Sequence, residues 1–284
     1  MPELPEVRAH AERLDAGYAG RTLARFEPLS FSVLKTFDPA PDVAVGRVLR
    51  AVTNRAKYLI LTFDDPDGEP AVHFVVHLMQ GGRLRPDTSR ARRPRGGMAR
   101  WTFEGDGRLL LTEPGTEHRA GVWVVGGDPL EQEPLASLGP VATELDVNAM
   151  AALMAGHSMR LHGFLRRQSI LSGLGRRLAD EVCHRARLSP FVNTSALDHG
   201  RVSAVVEAIS AVVAEGYAFD RGLDAMSRSA QRPSRVHGRT GDACPECGDL
   251  IRAVEYRRYT VHYCPTCQTG GKVLADNTTS RFLR

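Results

Sequence analysis

The chain has no apolar run of membrane-spanning length, no basic leader followed by an apolar stretch, and no internal repeat. Those absences argue against a membrane protein, a secreted protein and a solenoid. Cysteine is scarce as well. The five cysteines are too few for a dense disulfide scaffold, and four of them fall into two CxxC pairs. That usage fits a reducing, cytoplasmic compartment with metal-bound thiolates. The fifth, Cys183, lies alone in an apolar-periodic segment and reads as a small buried hydrophobe. Strong net charge is also missing: the balance is +4, with 42% hydrophobic and 25% charged residues. This is the composition of an ordinary globular chain, and 284 residues suffice for more than one lobe.

Charge is instead concentrated locally. Seven arginines lie between His157 and Pro190, and ten basic residues stand against five acidic ones from Met226 onward. A surplus confined to part of the chain suggests a polyanion-facing surface. Residues 8–20 have helical composition, whereas the prolines of MPELPEV make a poor helix start. Short strand-like segments follow (RTLARFEPLS, GRVLRAVTNRAKYLILTF, EPAVHFVVHLM, MARWTFEGDGRLLLTE, GVWVV), separated by turn signals such as DDPDG and GDG. They predict a β-sandwich over residues 1–135. Residues 85–97, RPDTSRARRPRGG, read as a basic loop that orders on meeting a partner. Helical spacing takes over in VNAMAALMAG, LHGFLRRQSI, GRRLADEVCHRA and DHGRVSAVVEAISAVVAEG, giving a helical domain over 136–231. A cysteine module occupies 232–268 and a polar tail 269–284. The expected class is α+β multidomain.

Cys244, Cys247, Cys264 and Cys267 form C-x₂-C-x₁₆-C-x₂-C around a stretch that alternates like a β-hairpin. Two such knuckles place four thiolates around one tetrahedral Zn²⁺. No coordination position stays open, so the metal is expected to be structural and to supply folding energy to a module too small for its own core.

Two more stretches carry chemistry. In QSILSGLGRRLADE, Gly173 and Gly175 permit close backbone approach, and the helix after them could offer free N–H groups to a phosphate, reinforced by Arg176 and Arg177. Tight turns between packed helices use the same glycines. At the terminus, removal of Met1 would give Pro2 a secondary amine. Such an amine is a nucleophile, with a substantial neutral fraction near pH 8.

MPELPEV, the QSILSGLGRRLADE turn and the ribbon ending CPTCQ, in that order, resemble the formamidopyrimidine/endonuclease VIII family of DNA glycosylases across essentially the whole chain. The resemblance implies a β-sandwich, a helix–two-turn–helix domain and a zinc finger, with damaged DNA as partner and a monomer that associates with the nucleoid. It implies bifunctional excision of a damaged base and cleavage at the abasic sugar. Pro2 matches the family's nucleophile, Glu3 its proton-transfer residue, Glu6 a supporting glutamate and Lys57 the β-lobe lysine. HLMQGG matches the void-filling loop and nominates His77, Met79 and Gln80. The DPRRFG-like run of the purine-excising branch is absent. TEPGTEHRAGVWVV stands there, with Arg119 as a substitute, and this together with LKTFDP and the tail resembles actinobacterial endonuclease VIII-like members. A preference for oxidised pyrimidines is the resulting expectation.

The departures gather at the phosphate-binding surface. The family's GIGN turn is Gly173-Leu174-Gly175-Arg176 here, its lysine matches His162, and its finger arginine matches Tyr259, with Arg258 one position earlier. Either the substrate differs, as a bulky adduct, a crosslink or single-stranded DNA would, or the chain binds damage without catalysis.

Overall fold

The computed structural model describes residues 1–65, 68, 70–89, 91–115, 117–228 and 231–274. The chain forms two compact units, Met1–Ser137 with Asp220–Ser229, and Leu138–Phe219 with Ala230–Arg284.

The first unit opens with helix α1 (Leu4–Tyr18), which starts earlier than the composition suggested. A proline in the first turn gives up an N–H that has no helical partner, so Pro5 is tolerated where an interior proline would not be. Glu3 stands at the N-cap facing Glu6 in the manner of a capping box, and Glu6 Oε2 accepts the Glu3 N–H at 2.8 Å.

The sandwich follows. One sheet has the order β2 (Val48–Arg55), β3 (Tyr58–Asp64), β4 (Val72–His77), β8 (Gly121–Gly126). The other runs β1 (Leu23–Pro28), β6 (Gly97–Phe103), β7 (Arg108–Thr112), β5 (Arg83–Pro86). All paired neighbours are antiparallel. The scarce aromatics concentrate between the sheets. Phe26 and Trp101 from one meet Phe74 of the other at centroid distances of 5.0 and 5.8 Å, and Phe63 packs against Phe74 at 5.5 Å within its own sheet. Trp101, Phe63 and Phe74 are fully buried, each worth roughly 1.5–3 kcal/mol in apolar transfer. Val7, Ala11 and Leu14 of α1 join the same core, and Asp15 accepts the Val52 N–H at 2.7 Å. The terminus is thereby bolted to the sandwich.

Strand β5 occupies Arg83–Pro86, at the edge of the stretch expected to be an unordered loop. The loop beyond it is gathered by buried Arg100, which donates to Asp87 at 2.8 Å and to the Ala91 carbonyl at 2.5 Å. Arg90 lies outside the described residues, as do residues 275–284 of the tail.

The second unit holds α2 (Val147–Ala155), α3 (Leu161–Leu165), α4 (Arg176–Arg185), most of α5 (His199–Arg221), the hairpin β9 (Arg252–Tyr256) and β10 (Tyr259–Tyr263), and α6 (Pro265–Thr269). By length and mean hydropathy, 1.5, α5 could cross a membrane, against the expectation of no such run. Its buried positions Val202, Val205, Ala208, Ile209, Val212 and Val213 recur at helical spacing, with Glu207 and Glu215 on the exposed side. That one-sided pattern is the signature of a helix packed against protein. The turn before α4 is laced by Gln168, whose amide donates to the Arg166 and Leu174 carbonyls and accepts from Gly173 N–H at 3.0 Å. Gly173, at φ +101°, sits where a side chain would be strained.

Candidate functional site

In the first unit the proposed reagent is enclosed. Pro2 is buried, as are Glu3, Glu6 and Lys57, with relative exposures of 5, 7 and 6% for the last three. Lys57 occupies the tight connection between β2 and β3, where Ala56 takes φ +51°. Burial lowers the Met1 amine below its usual range. Arg83 and Lys57 push it the same way, while Glu3 and Glu6 oppose them. Four charged side chains thus act on one terminal amine. Burial, the largest of these influences, favours a neutral nitrogen, with carboxylates at hand to take up protons.

The loop after β4 stands beside them. His77 is paired across the sheet with Tyr58, their rings 4.5 Å apart. Burial, aided by Lys57, depresses His77 to about 4, so it is neutral at physiological pH. Its Nδ1 accepts the Met79 N–H at 3.2 Å, which assigns the proton to Nε2. Met79 adopts φ +51°, Gln80 is exposed, and the turn closes with Gly82 N–H donating to the Leu78 carbonyl at 2.8 Å. A Cβ on Gly82 would stand 2.1 Å from that same oxygen, so only glycine fits. Arg119 is exposed and pairs with Glu117 at 3.4 Å, a contact of little energetic weight.

In the second unit, Gly175 caps α4 in an extended conformation and Arg176 is exposed at its first turn. His162, expected among the DNA-facing residues, is buried at 3% exposure. Its ring stacks toward Tyr259 at 6.3 Å and its Nε2 lies 3.1 Å from Asp180 Oδ1. Tyr259 is flanked by Tyr256, stacked at 4.6 Å, and by the guanidinium of Arg166 at 3.8 Å, with that of Arg176 at 5.6 Å. The finger tyrosine therefore gathers two arginines of the helical segment by cation–π attraction. Arg258 sits in the exposed two-residue hairpin turn, not on a strand face, because Tyr256 pairs directly with Tyr259 and no bulge intervenes.

The four cysteines converge. Cys244 and Cys267 Sγ atoms are 3.9 Å apart, and those of Cys247 and Cys264 3.4 Å. Thiolates on one tetrahedral zinc stand about 3.8 Å apart, so the set fits one such ion. Burial, with help from neighbouring sulfurs, pushes Cys264 up to about 11 and Cys267 higher, a cost that a divalent cation removes. His184 Nε2 approaches Cys244 Sγ at 3.3 Å, in position to donate to a thiolate.

Sequence reasoning missed several of these participants. Arg83 follows the glycine turn with no motif to distinguish it. Asp180 and Glu181 read as counter-charges among arginines, yet both are buried. Glu181 accepts the backbone N–H groups of Arg235, Val236 and His237 at 2.9, 3.0 and 2.9 Å, which joins α4 to the segment before the ribbon. Asp180 receives His237 and His262 Nδ1 at 2.7 and 3.0 Å. Burial would raise its carboxyl, but the surrounding imidazoles outweigh that and hold it well below the usual carboxylate range. Alternating sequence gave no sign that residues 57 to 82 positions away would converge on it.

Residues 1–116 match the family described as formamidopyrimidine-DNA glycosylase N-terminal domain. A formamidopyrimidine-DNA glycosylase of Magnetococcus marinus is 30% identical over 94% of this chain and 99% of its own length. An uncharacterized formamidopyrimidine-DNA glycosylase-like protein of Mycobacterium tuberculosis is 37% identical over 52% of this chain and 95% of its own. The fold matches that of Lactococcus lactis Fpg, solved with an abasic-site DNA at TM-score 0.82 and with an oxidized-pyrimidine DNA at 0.83. Both are 23% identical and cover 94% of this chain and 100% of theirs.

Proposed function

This chain belongs to the formamidopyrimidine-DNA glycosylase family, and from that premise we propose that it is a bifunctional DNA glycosylase and abasic-site lyase for oxidised bases. The observation that carries the reading is the convergence of Glu3, Glu6, Lys57 and Arg83 on the chain's terminal amine, here that of Met1, next to Pro2. With Met1 removed, the Pro2 nitrogen attacks C1′ of an extruded nucleotide. The base departs with a proton, and the nitrogen and C1′ become an iminium. Glu3 is the group placed to exchange protons with the opening sugar. Glu6 positions it, since its carboxylate already holds the Glu3 N–H. Loss of the acidified C2′ proton expels the 3′ phosphate, and a second elimination releases the sugar remnant. Burial, with Arg83 and Lys57 pushing the same way, lowers the terminal amine's affinity for a proton, and the two cations are the groups that would meet the phosphates. The four cysteines hold one structural Zn²⁺, which secures the ribbon and supplies no reacting group.

The relatives are named for formamidopyrimidine, a ring-opened purine, and this favours oxidised purines among the substrates. A pyrimidine-selective, endonuclease VIII-like reading rests on the segment around Arg119, which offers one exposed arginine bound to Glu117. A panel of duplex and single-stranded substrates separates the two. Comparable or faster release of formamidopyrimidine or 8-oxoguanine relative to 5-hydroxyuracil supports the first. Release of 5-hydroxyuracil and thymine glycol alone supports the second, and no release or strand cleavage on any substrate leaves only a binding protein.

A further inference from the structure

Beside the four-cysteine centre, the second unit contains another set of metal-ligating atoms. Asp180 on α4 is fully buried. Its Oδ2 meets Nδ1 of His237 at 2.7 Å and Nδ1 of His262 at 3.0 Å, and these donor atoms all lie within 4.8 Å of one another. The other oxygen, Oδ1, receives the His262 backbone N–H at 3.3 Å. His162 Nε2 is 3.1 Å from Oδ1, but its orientation leaves it without a hydrogen bond. The side chain of His162 is only 4% exposed.

We propose that Asp180, His237 and His262 bind a second divalent transition-metal ion. Two imidazoles and a carboxylate are a zinc-type donor set. Bonds of about 2.0–2.1 Å place tetrahedral N and O ligands about 3.3 Å apart, so the two nitrogen–oxygen separations of 2.7 and 3.0 Å need to open by about 0.6 and 0.3 Å. The three ligands come from α4, from the segment before the ribbon and from strand β10. The ion therefore fastens the finger hairpin to the helix that begins at Arg176. The four cysteines belong to a separate centre, and the inference does not depend on which base is excised.

The test uses the full-length protein loaded with excess Zn²⁺, desalted, and assayed for zinc per chain. The proposal expects a second zinc beyond the cysteine-bound one, lost in His237→Leu. Cobalt substitution reads the two centres apart. Thiolate-to-cobalt charge transfer reports the cysteines, and a separate set of d–d bands without sulfur character reports the nitrogen–oxygen site. Those bands should vanish in His237→Leu while the charge transfer remains. If His237→Leu fails to fold, the wild-type stoichiometry and cobalt spectrum decide alone. A single zinc per chain under saturating metal, with only the thiolate spectrum after cobalt loading, overturns the proposal.

Discussion

His10, buried on α1, donates its Nε2 proton to the Leu84 carbonyl at 2.6 Å, and burial depresses it to about 4. The folded protein therefore resists a proton that the unfolded chain accepts below about pH 6.5. Stability is full above that pH, falls as pH drops through the window between 6.5 and 4, and levels off below it. The contribution of His10 to the loss between pH 7 and pH 5 is about 2 kcal/mol. Urea unfolding of His10→Leu should show a difference between those pH values smaller by that amount, although the variant is less stable at pH 7. An unchanged difference would mean that His10 is protonated in the fold. Arg83 acts on the terminal amine in a comparable way, since its positive charge lowers the amine's affinity for a proton. Arg83→Gln should move the alkaline-rising limb of abasic-site trapping to higher pH and slow trapping at pH 7. A profile that falls in amplitude without moving would assign Arg83 to DNA binding alone.

At the level of elements, the turn at residues 78–82 fixes where Met79 and Gln80 point, and Gly82 is its steric condition. Gly82→Ala should cost about 2 kcal/mol or more in thermal unfolding and reduce base excision, because Leu78 O must move to admit the new methyl. A neutral substitution would show that the turn adjusts freely. The same elements show what was readable beforehand. Strands β2, β3, β4, β6, β7 and β8 were legible because alternation and turn residues bracket them. Strand β5 is four residues long and ends in proline, so it carried no period to detect. The start of α1 was obscured by its prolines, whose effect reverses in the first turn of a helix. The CxxC pairs announced the ribbon by spacing alone. Arg258 could not be placed from spacing, since its side depends on where the hairpin turns.

Across the whole molecule, the chain does not divide at a single point along its length. Residues Asp220–Ser229 return to the unit that carries the terminus, where Asp220 accepts from Ser227 and its carbonyl from Arg13 of α1. The ribbon groups with the helical segments, fastened through Glu181 and through Gln268, whose amide donates to the Leu188 carbonyl at 2.9 Å. Such connections join residues far apart in sequence through single polar side chains, and no local pattern encodes them. The proposed catalytic residues were legible for the opposite reason: Pro2, Glu3 and Glu6 lie within five consecutive residues at the start of α1, so the chain itself brings them together. Borohydride reduction in the presence of abasic-site DNA tests that centre most directly. Protein whose N-terminus is verified as Pro2 by mass spectrometry should form a covalent adduct with the DNA, and Pro2→Gly should form at least tenfold less. An adduct of undiminished yield in Pro2→Gly, or none with the intact terminus, contradicts a proline nucleophile.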